Sequence, residues 1–497
     1  MKKKYVRWTL WTIASPFILF IILCILIYLP PIQNFLVDKA AVYASEATGM
    51  NISVGRISLS FPLNLVVTDV DAASPHNDTL LSVRRLQVNV QLLPLLKKQV
   101  EVDGISLQGA TVNSNDLIHG MKLNGTLGEL FISSHGVALD PETAIVNKVL
   151  LKDTDLSLCL NDTAAADTAA SDTTYWKIIL QDIDLQNVSF ALDMPLDSLS
   201  LAASLDNAIL RDGLIDLHKS AYSLQTFRIE NGRVRYDNGK PLAADSLSSG
   251  LDPSHIALTD IGVKLDSLYY GGRNMKAIIS QFVLKERSGV EIVSATGRMV
   301  SNDKVLRVPS LKLETRDSYL ELNVAMDWNA LDFKDEGLVS ARLMADIGKP
   351  DVVRFMGSMD EKFIRQYPSE PLRIRTGIDG DLNKLKLTTL TAELPGALGL
   401  FARGELTHLT DSLLGDITLE AETKDLKFVS TLAEGIEIPY GTRLEGKFTM
   451  AGTKMGTDLL LMQPEAQAVV AADTIPITVY NDSISVADDF KMERAAR

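Results

Sequence analysis

The sequence predicts a mainly β protein carried behind one N-terminal transmembrane helix. Three observations predict it: one uncharged apolar run near the N-terminus, alternation of apolar and polar residues from Gly49 onward, and little helical periodicity elsewhere. At 497 residues the chain exceeds one ordinary core and suits several domains or one long repetitive structure. With 46% hydrophobic and 23% charged residues it has the composition of a folded protein. Its formal net charge of −14 argues against nucleic-acid binding, which needs a basic face.

The helix is read from its flanks. Lys2, Lys3, Lys4 and Arg7 precede an uncharged run from Trp8 to Leu29. About 20 apolar residues cross a bilayer. Trp8 and Trp11 at one end, and Tyr28 beside Leu29 at the other, stand where amphipathic rings favour the interface. Pro16 kinks the helix, which a bilayer tolerates. The basic cluster holds the N-terminus in the cytoplasm, so the remainder is exported. A cleaved signal peptide competes with this reading, but its apolar region spans only ~7–15 residues and ends in a small-residue cleavage site. Here Pro30 and Pro31 follow instead, so residues 1–31 are read as a basic start and signal-anchor helix. Of the two cysteines, Cys24 lies in this run and Cys159 far outside it, which leaves no disulfide framework.

Residues 32–48 predict a short helix, because Ile32, Phe35, Leu36, Ala40 and Tyr43 recur at helical spacing before Gly49 stops it. Period two follows. Ile52 and Val54, then Ile57, Leu59 and Phe61, alternate with polar residues; so do Ile178, Leu180, Ile183 and Leu185. Leu320, Leu322, Val324, Met326 and Trp328 repeat the pattern with Glu321, Asn323 and Asp327 between them, and Leu385 and Leu387 repeat it again. Such alternation marks strands with one apolar and one polar face. Asp103-Gly104, Asn124-Gly125, Asn231-Gly232 and Asp379-Gly380 read as hairpin turns. Segments 105–116, 183–194 and 227–238 share one form, a strand, a Gly or Asn break and a second strand, which predicts a stacked supersecondary unit.

The resulting organisation is a first β segment over 49–160, a disordered linker over 161–174 (NDTAAADTAASDTT) and a continued β segment over 175–462. Short helices are expected near 350–367 and 425–433, and an irregular tail over 463–497. At about 15 residues per strand and turn, roughly 25–30 strands are expected, stacked over on the order of 120–145 Å. So few helices cannot cover such a sheet, so its apolar face must meet a second sheet, fold on itself or meet lipid.

Catalytic signals are absent from the sequence. None of the six histidines forms H-E-x-x-H, and no G-x-S-x-G occurs. No catalytic, cofactor or metal residues are assigned, and an enzyme is not expected. Gly441 to Thr449 (GTRLEGKFT) approaches a phosphate loop, but Phe448 replaces the hydroxyl residue and Lys447 lies in an alternating pattern, so a β-hairpin is expected. Leu92 to Lys98 reads as a strand-to-turn corner.

Thr48 to Val70 and Leu80 to Val112, behind the basic start and helix, resemble the N-terminal portion of the AsmA-like proteins, and among them the TamB group. Glu286 to Met299, Leu311 to Leu322 and Ala345 to Gly357 are similar to TamB proteins of some Gram-negative bacteria. The resemblance covers roughly residues 1–463 and rests on the order of the segments. It implies a long, twisted, open, taco-like groove of repeating antiparallel β-sheet with a few short helices. It implies an inner-membrane, single-pass protein with its bulk in the periplasm, acting in phospholipid transport to the outer membrane or in outer-membrane protein assembly with a β-barrel partner. Family members are usually longer and end in a further domain that meets the barrel, whereas this chain stops soon after Leu459 to Gln467.

Three functions compete. A conduit for phospholipid acyl chains needs apolar residues on the inner face of every strand and no closing layer; on this reading Leu320, Leu322, Val324 and Met326 face lipid. An assembly factor would bind strands by edge pairing. A scaffold would carry a second sheet over the apolar face. Asp162-Thr163-Ala164, Asp167-Thr168-Ala169 and Asp197-Ser198-Leu199 resemble bacterial O-glycosylation sites, with ordinary turn composition as the alternative.

Overall fold

The structure is a computed structural model that describes residues 39, 41–42, 45–46, 49–60, 64–74, 78–90, 102–114, 120–138, 142–161, 175–239, 250–332, 334, 337–356, 361–410, 413–431, 443–451, 454–462, 469–472, 477–480 and 483–486. The expected anchor with Trp8, Trp11, Pro16, Tyr28 and Leu29 lies outside these residues, as do the corner at 92–98 and the linker from 162 to 174. Among the described residues no helix is long and apolar enough to cross a membrane. Of the 32–48 segment, residues 39, 41, 42, 45 and 46 are helical, and the Gly49 amide donates to the Ser45 carbonyl at 2.9 Å.

The chain is mainly β, with twenty-five strands among the described residues. It divides into two units: Met1–Ser220 with Arg228–Gly239, and Ala221–Phe227 with Lys240–Arg497. The division therefore falls near residue 220, not at the 161–174 linker.

Unit 1 is built on β1 (Asn51–Ser60), β2 (Asn64–Ala73), β3 (Thr79–Val90), β4 (Val102–Asn113), β5 (Met121–Ala138), β6 (Thr143–Leu160), β7 (Lys177–Met194) and β8 (Leu199–Asp216). Beyond the short β9 (Ala221–Leu224), β10 (Thr226–Asp237) pairs back with β8. From β1 to β8 each strand pairs with the next, antiparallel except at one pair, which corrects the all-antiparallel expectation: β6 and β7 run parallel, with Thr143 opposite Lys177 and Cys159 opposite Asp193. A parallel pair needs a crossover of a dozen or more residues. Residues 161–176 supply that length.

The Gly and Asn breaks also differ from expectation. Asp103-Gly104 lies inside β4, Asn124-Gly125 inside β5 and Asn231-Gly232 inside β10, so these pairs are not turns. Asp379-Gly380 lies near the end of a strand, two residues before its turn. Among the described residues each repeat segment contributes to a single strand, β4, β7 or β10. The registers of β1 to β8 pass over the same line of residues: Gly55, Asp69, Arg84, Gly109, Gly128, Asp153, Asn187 and Asp206. On either side of it the apolar face resumes, with Val54, Val70, Val83, Ala110 and Leu127 on one flank and Ile57, Val67, Leu86, Leu107 and Leu130 on the other. A residue left out of the ladder bends its strand. Asp69, Gly109, Asp153, Asn187 and Asn231 take φ of 54°, 61°, 48°, 52° and 54°, the left-handed region that Gly, Asn and Asp enter most easily. The Asn187 amide donates to Asp153 Oδ1 at 2.9 Å across the line.

Unit 2 contains β9 and then β11 (His255–Gly271), β12 (Asn274–Glu286), β13 (Glu291–Ser301), β14 (Val305–Thr315), β15 (Tyr319–Asp327), β16 (Leu338–Ile347), β17 (Leu372–Asp381), β18 (Lys384–Leu394), β19 (Leu398–Thr407), β20 (Leu414–Thr423), β21 (Arg443–Ala451) and β22 (Lys454–Met462), all paired antiparallel. Among the described residues three helices interrupt it. Those expected near 350–367 are α2 (Lys349–Phe355) and α3 (Glu361–Gln366), and the 425–433 stretch is a 3-10 turn over Lys427–Thr431. The sequence reading missed α1 (Trp328–Leu331): Trp328 starts this helix rather than ending the strand. The tail expected to be irregular contributes three short strands, β23 (Val469–Ala472), β24 (Ile477–Tyr480) and β25 (Ser483–Val486).

Candidate functional site

The residues proposed to face lipid lie on β15. Successive side chains of a strand point to opposite faces, so Leu320, Leu322, Val324 and Met326 share one face. Register extends it to both neighbours. These four stand opposite Leu313, Leu311, Val308 and Leu306 of β14, and opposite Ala345, Leu343, Ala341 and Val339 of β16. Outward, β17 adds Ile374, Thr376 and Ile378, β18 adds Leu385, Leu387, Leu390 and Ala392, and β19 adds Leu400, Ala402 and Leu406. Ile417, Leu419 and Ala421 of β20 complete seven strands without a charged residue on this face.

Burial on the face depends on side-chain size. Ala345 and Ala402 are 1% and 2% exposed. Leu320, Leu322, Val324, Met326, Leu343, Ile374, Leu387 and Leu400 are only partly buried. Apolar side chains between two packed sheets interdigitate into a close-packed core. The large side chains here retain contact with solvent instead.

Helical segments pack at both ends of the strands, more extensively at one than at the other. At one end Phe363, Tyr367, Leu394, Ala397, Leu426 and Phe428 form a buried cluster against Leu372 and Leu398 of the apolar face. Its rings meet at centroid distances of 5.4 Å (Phe363–Tyr367), 5.8 Å (Phe363–Phe428) and 5.2 Å (Tyr367–Phe428). Burial pushes the Tyr367 phenol above its usual range. Asp351 of α2, 1% exposed, docks the helix on the β14–β15 turn. It accepts from Ser318 Oγ at 2.6 Å, from Arg354 Nη1 at 3.0 Å and from Thr315 Oγ1. At the other end Ala330 of α1, Val339 and Leu382 pack with Met326, Ile378, Leu385 and Leu409.

The opposite face is polar. Glu321 stands opposite Lys312, and Asn323 opposite Arg342. Arg375 reaches Asp346 at 2.8 Å and donates to the Ala345 carbonyl at 2.9 Å. Arg342 lies 3.4 Å from Asp379, and Lys384 2.8 Å from Glu405. The Tyr319 hydroxyl donates to Glu321 Oε2 at 2.8 Å; this hydrogen bond, with some burial, raises the phenol's pKa. Lys447, the lysine of the phosphate-loop near-match, stands in β21 and pairs with Asp416 at 2.6 Å.

Sequence reasoning identified the β15 stripe and the Leu385–Leu387 alternation of β18, but not the strands between and beyond them. Their signal was present as alternation in β16 (Val339, Ala341, Leu343, Ala345) and β19 (Leu398, Leu400, Ala402). It was diluted by alanine, glycine and threonine, which thin the apolar periodicity without adding charge. Among the described residues no group of three or more His, Cys, Asp or Glu residues could hold a metal ion. The chain matches no protein-family model and no curated protein.

Proposed function

We propose that the chain holds phospholipid acyl chains against the apolar face of unit 2, as an AsmA-like, TamB-type envelope protein anchored in the inner membrane by its N-terminal run. On this reading it acts in phospholipid movement toward the outer membrane. One observation carries the reading: seven consecutive strands present an uncharged apolar face whose large side chains stay partly exposed. A surface of that kind gains by burying apolar area, at about 25 cal/mol per Å². Acyl chains supply such area without competing for backbone hydrogen bonds.

The test is Val324→Asp in the full chain. A charge laid against acyl chains is costly, so lipid recovered with the purified variant is expected to fall while its melting transition persists. In a dry, packed interior the same charge would unfold the region. Undiminished lipid in a folded variant counts against this face as the site, and cooperative unfolding indicates a packed core.

A further inference from the structure

The two long rims of unit 2 differ chemically. Register brings strand ends to one rim, where Gly271 faces Asn274, Val305 faces Asp327, Leu338 faces Asp381 and Thr407 faces Leu414. Large apolar groups stand in the open along it. Tyr222 and Tyr270, 40% and 46% exposed, stack with ring centroids 6.1 Å apart. Leu331, Leu338 and Leu414 are 41%, 57% and 45% exposed. Trp328 sits in the same line, its indole N–H donating to the Asn302 carbonyl at 2.6 Å. The opposite rim is where α2, α3 and the 3-10 turn pack, and Phe355 and Met356 at the end of α2 are exposed there.

An exposed apolar line marks an interaction surface. Three features select the partner. Tyrosine and tryptophan carry an apolar body and a polar tip, which suits the boundary between acyl chains and water. Charges of both signs are mixed along the rim: Arg273 lies 2.9 Å from Asp332 and Lys384 2.8 Å from Glu405, Asp303, Lys304, Asp327 and Asp381 stand beside them, and the Arg273 guanidinium lies 5.3 Å from the centre of the Trp328 ring. A rim of mixed sign, without a block of like charge, matches a zwitterionic interface better than an anionic or strongly charged protein surface. Finally, the rim adjoins the apolar face: Tyr222 and Tyr270 stand in register with Met275, Ser301 and Leu306 of that face, and Met326 and Leu385 lie beside α1, while Leu338 and Leu414 start their strands one residue out of that stripe, at the rim's outer edge.

We propose that this rim rests on the interface of a phospholipid bilayer, so that acyl chains pass sideways over it onto the apolar face. The inference rests on the acyl-chain reading above and adds the route by which lipid arrives.

The test uses the full chain in phosphatidylcholine vesicles, with Cys24→Ser and Cys159→Ser as background. A single cysteine at Leu338→Cys or Leu414→Cys carries an environment-sensitive fluorophore, and Phe355→Cys serves as an exposed apolar control on the other rim. Doxyl-labelled phosphatidylcholine is the quencher, and each variant's melting transition is compared with the parent. Emission at 338 and 414 is expected to shift to the blue, with quenching about twofold or more above that at 355. Equal quenching at all three sites, or none at 338 and 414, overturns the proposal. So does a blue shift that grows with protein concentration and ignores the quencher, which would indicate a second copy of the chain on the rim. Lipid recovered with Val324→Asp separates the two ideas. If lipid recovery falls while 338 and 414 are unquenched, the groove stands and the rim contact fails. If recovery is unchanged while both sites are quenched, the rim touches the bilayer and the groove reading fails.

Discussion

At Asp351 one carboxylate, 1% exposed, gathers donors from Thr315, Ser318 and Arg354, and Arg354 also reaches Asp317 at 2.9 Å. Truncation to alanine leaves those donors without their acceptor, so Asp351→Ala should weaken the seating of α2 by about 2–3 kcal/mol. Hydrogen exchange is expected to rise over 349–367 and not in unit 1. Asn187 makes a backbone demand instead, since its φ of 52° suits asparagine or glycine and strains a β-branched residue. Asn187→Val should cost about 1–2 kcal/mol, with Asn187→Gly closer to the parent, in the order of their melting temperatures. Asp252 makes an acid-pH prediction. Its carboxyl lies below its ordinary value, first through the hydrogen bond with His255 at 2.8 Å and then through the Ser254 amide. A folded pKa below the unfolded one contributes stability that is present above the unfolded value of 3.8 and lost as pH falls through the folded one. Asp252→Asn should therefore flatten the decline in stability between about pH 4 and more acid conditions. An unchanged acid limb would refute the assignment. Residue identities of this kind are open to sequence reading, but their partners are not: Asp351 and Thr315 are 36 residues apart and meet only in the fold.

At the scale of the element, the bends of unit 1 and the helices of unit 2 do different work. The strands of unit 1 bend at one shared line because their pairing passes over one residue each at the same level. In unit 2, α3 and the 3-10 turn place Phe363, 2% exposed, at the centre of the cluster that closes one end of the apolar face. Phe363→Ala should cost about 3–5 kcal/mol. It should also open Leu372 and Leu398, so a dye that reports exposed apolar surface is expected to brighten at temperatures where unit 1 remains folded. Dye binding no different from the parent would place the cluster outside the lining of the face. The helices at 350–367 were legible from apolar spacing, whereas α1, with four residues, is too short for any period to register.

For the whole molecule the topological proposal is tested outside the described residues. Charge asymmetry around residues 8–29 predicts export of everything after about Pro31. A reporter active only in the cytoplasm is expected to be silent when fused after Gly49 and active when fused at the N-terminus. Activity after Gly49 would reverse the orientation and remove the envelope setting from the proposed function.

That the chain is β, and which residues share a face, can be read before any fold is known, because a period of two is a local property and a strand's two faces follow from it without reference to a partner. Leu320, Leu322, Val324 and Met326 were grouped on those grounds alone. Tertiary structure decided what those strands build. Asn231-Gly232 has the same left-handed tolerance in a turn and in a bulge, and only the register of neighbouring strands places it inside β10. The parallel pairing of β6 with β7 is likewise absent from either strand taken alone, since direction is a relation between two segments. Whether an apolar face is covered is also a relation: alternation is identical in a sandwich and a groove. The exposure of the side chains on β15 to β19 is likewise set by what lies above them in space, which no single strand specifies.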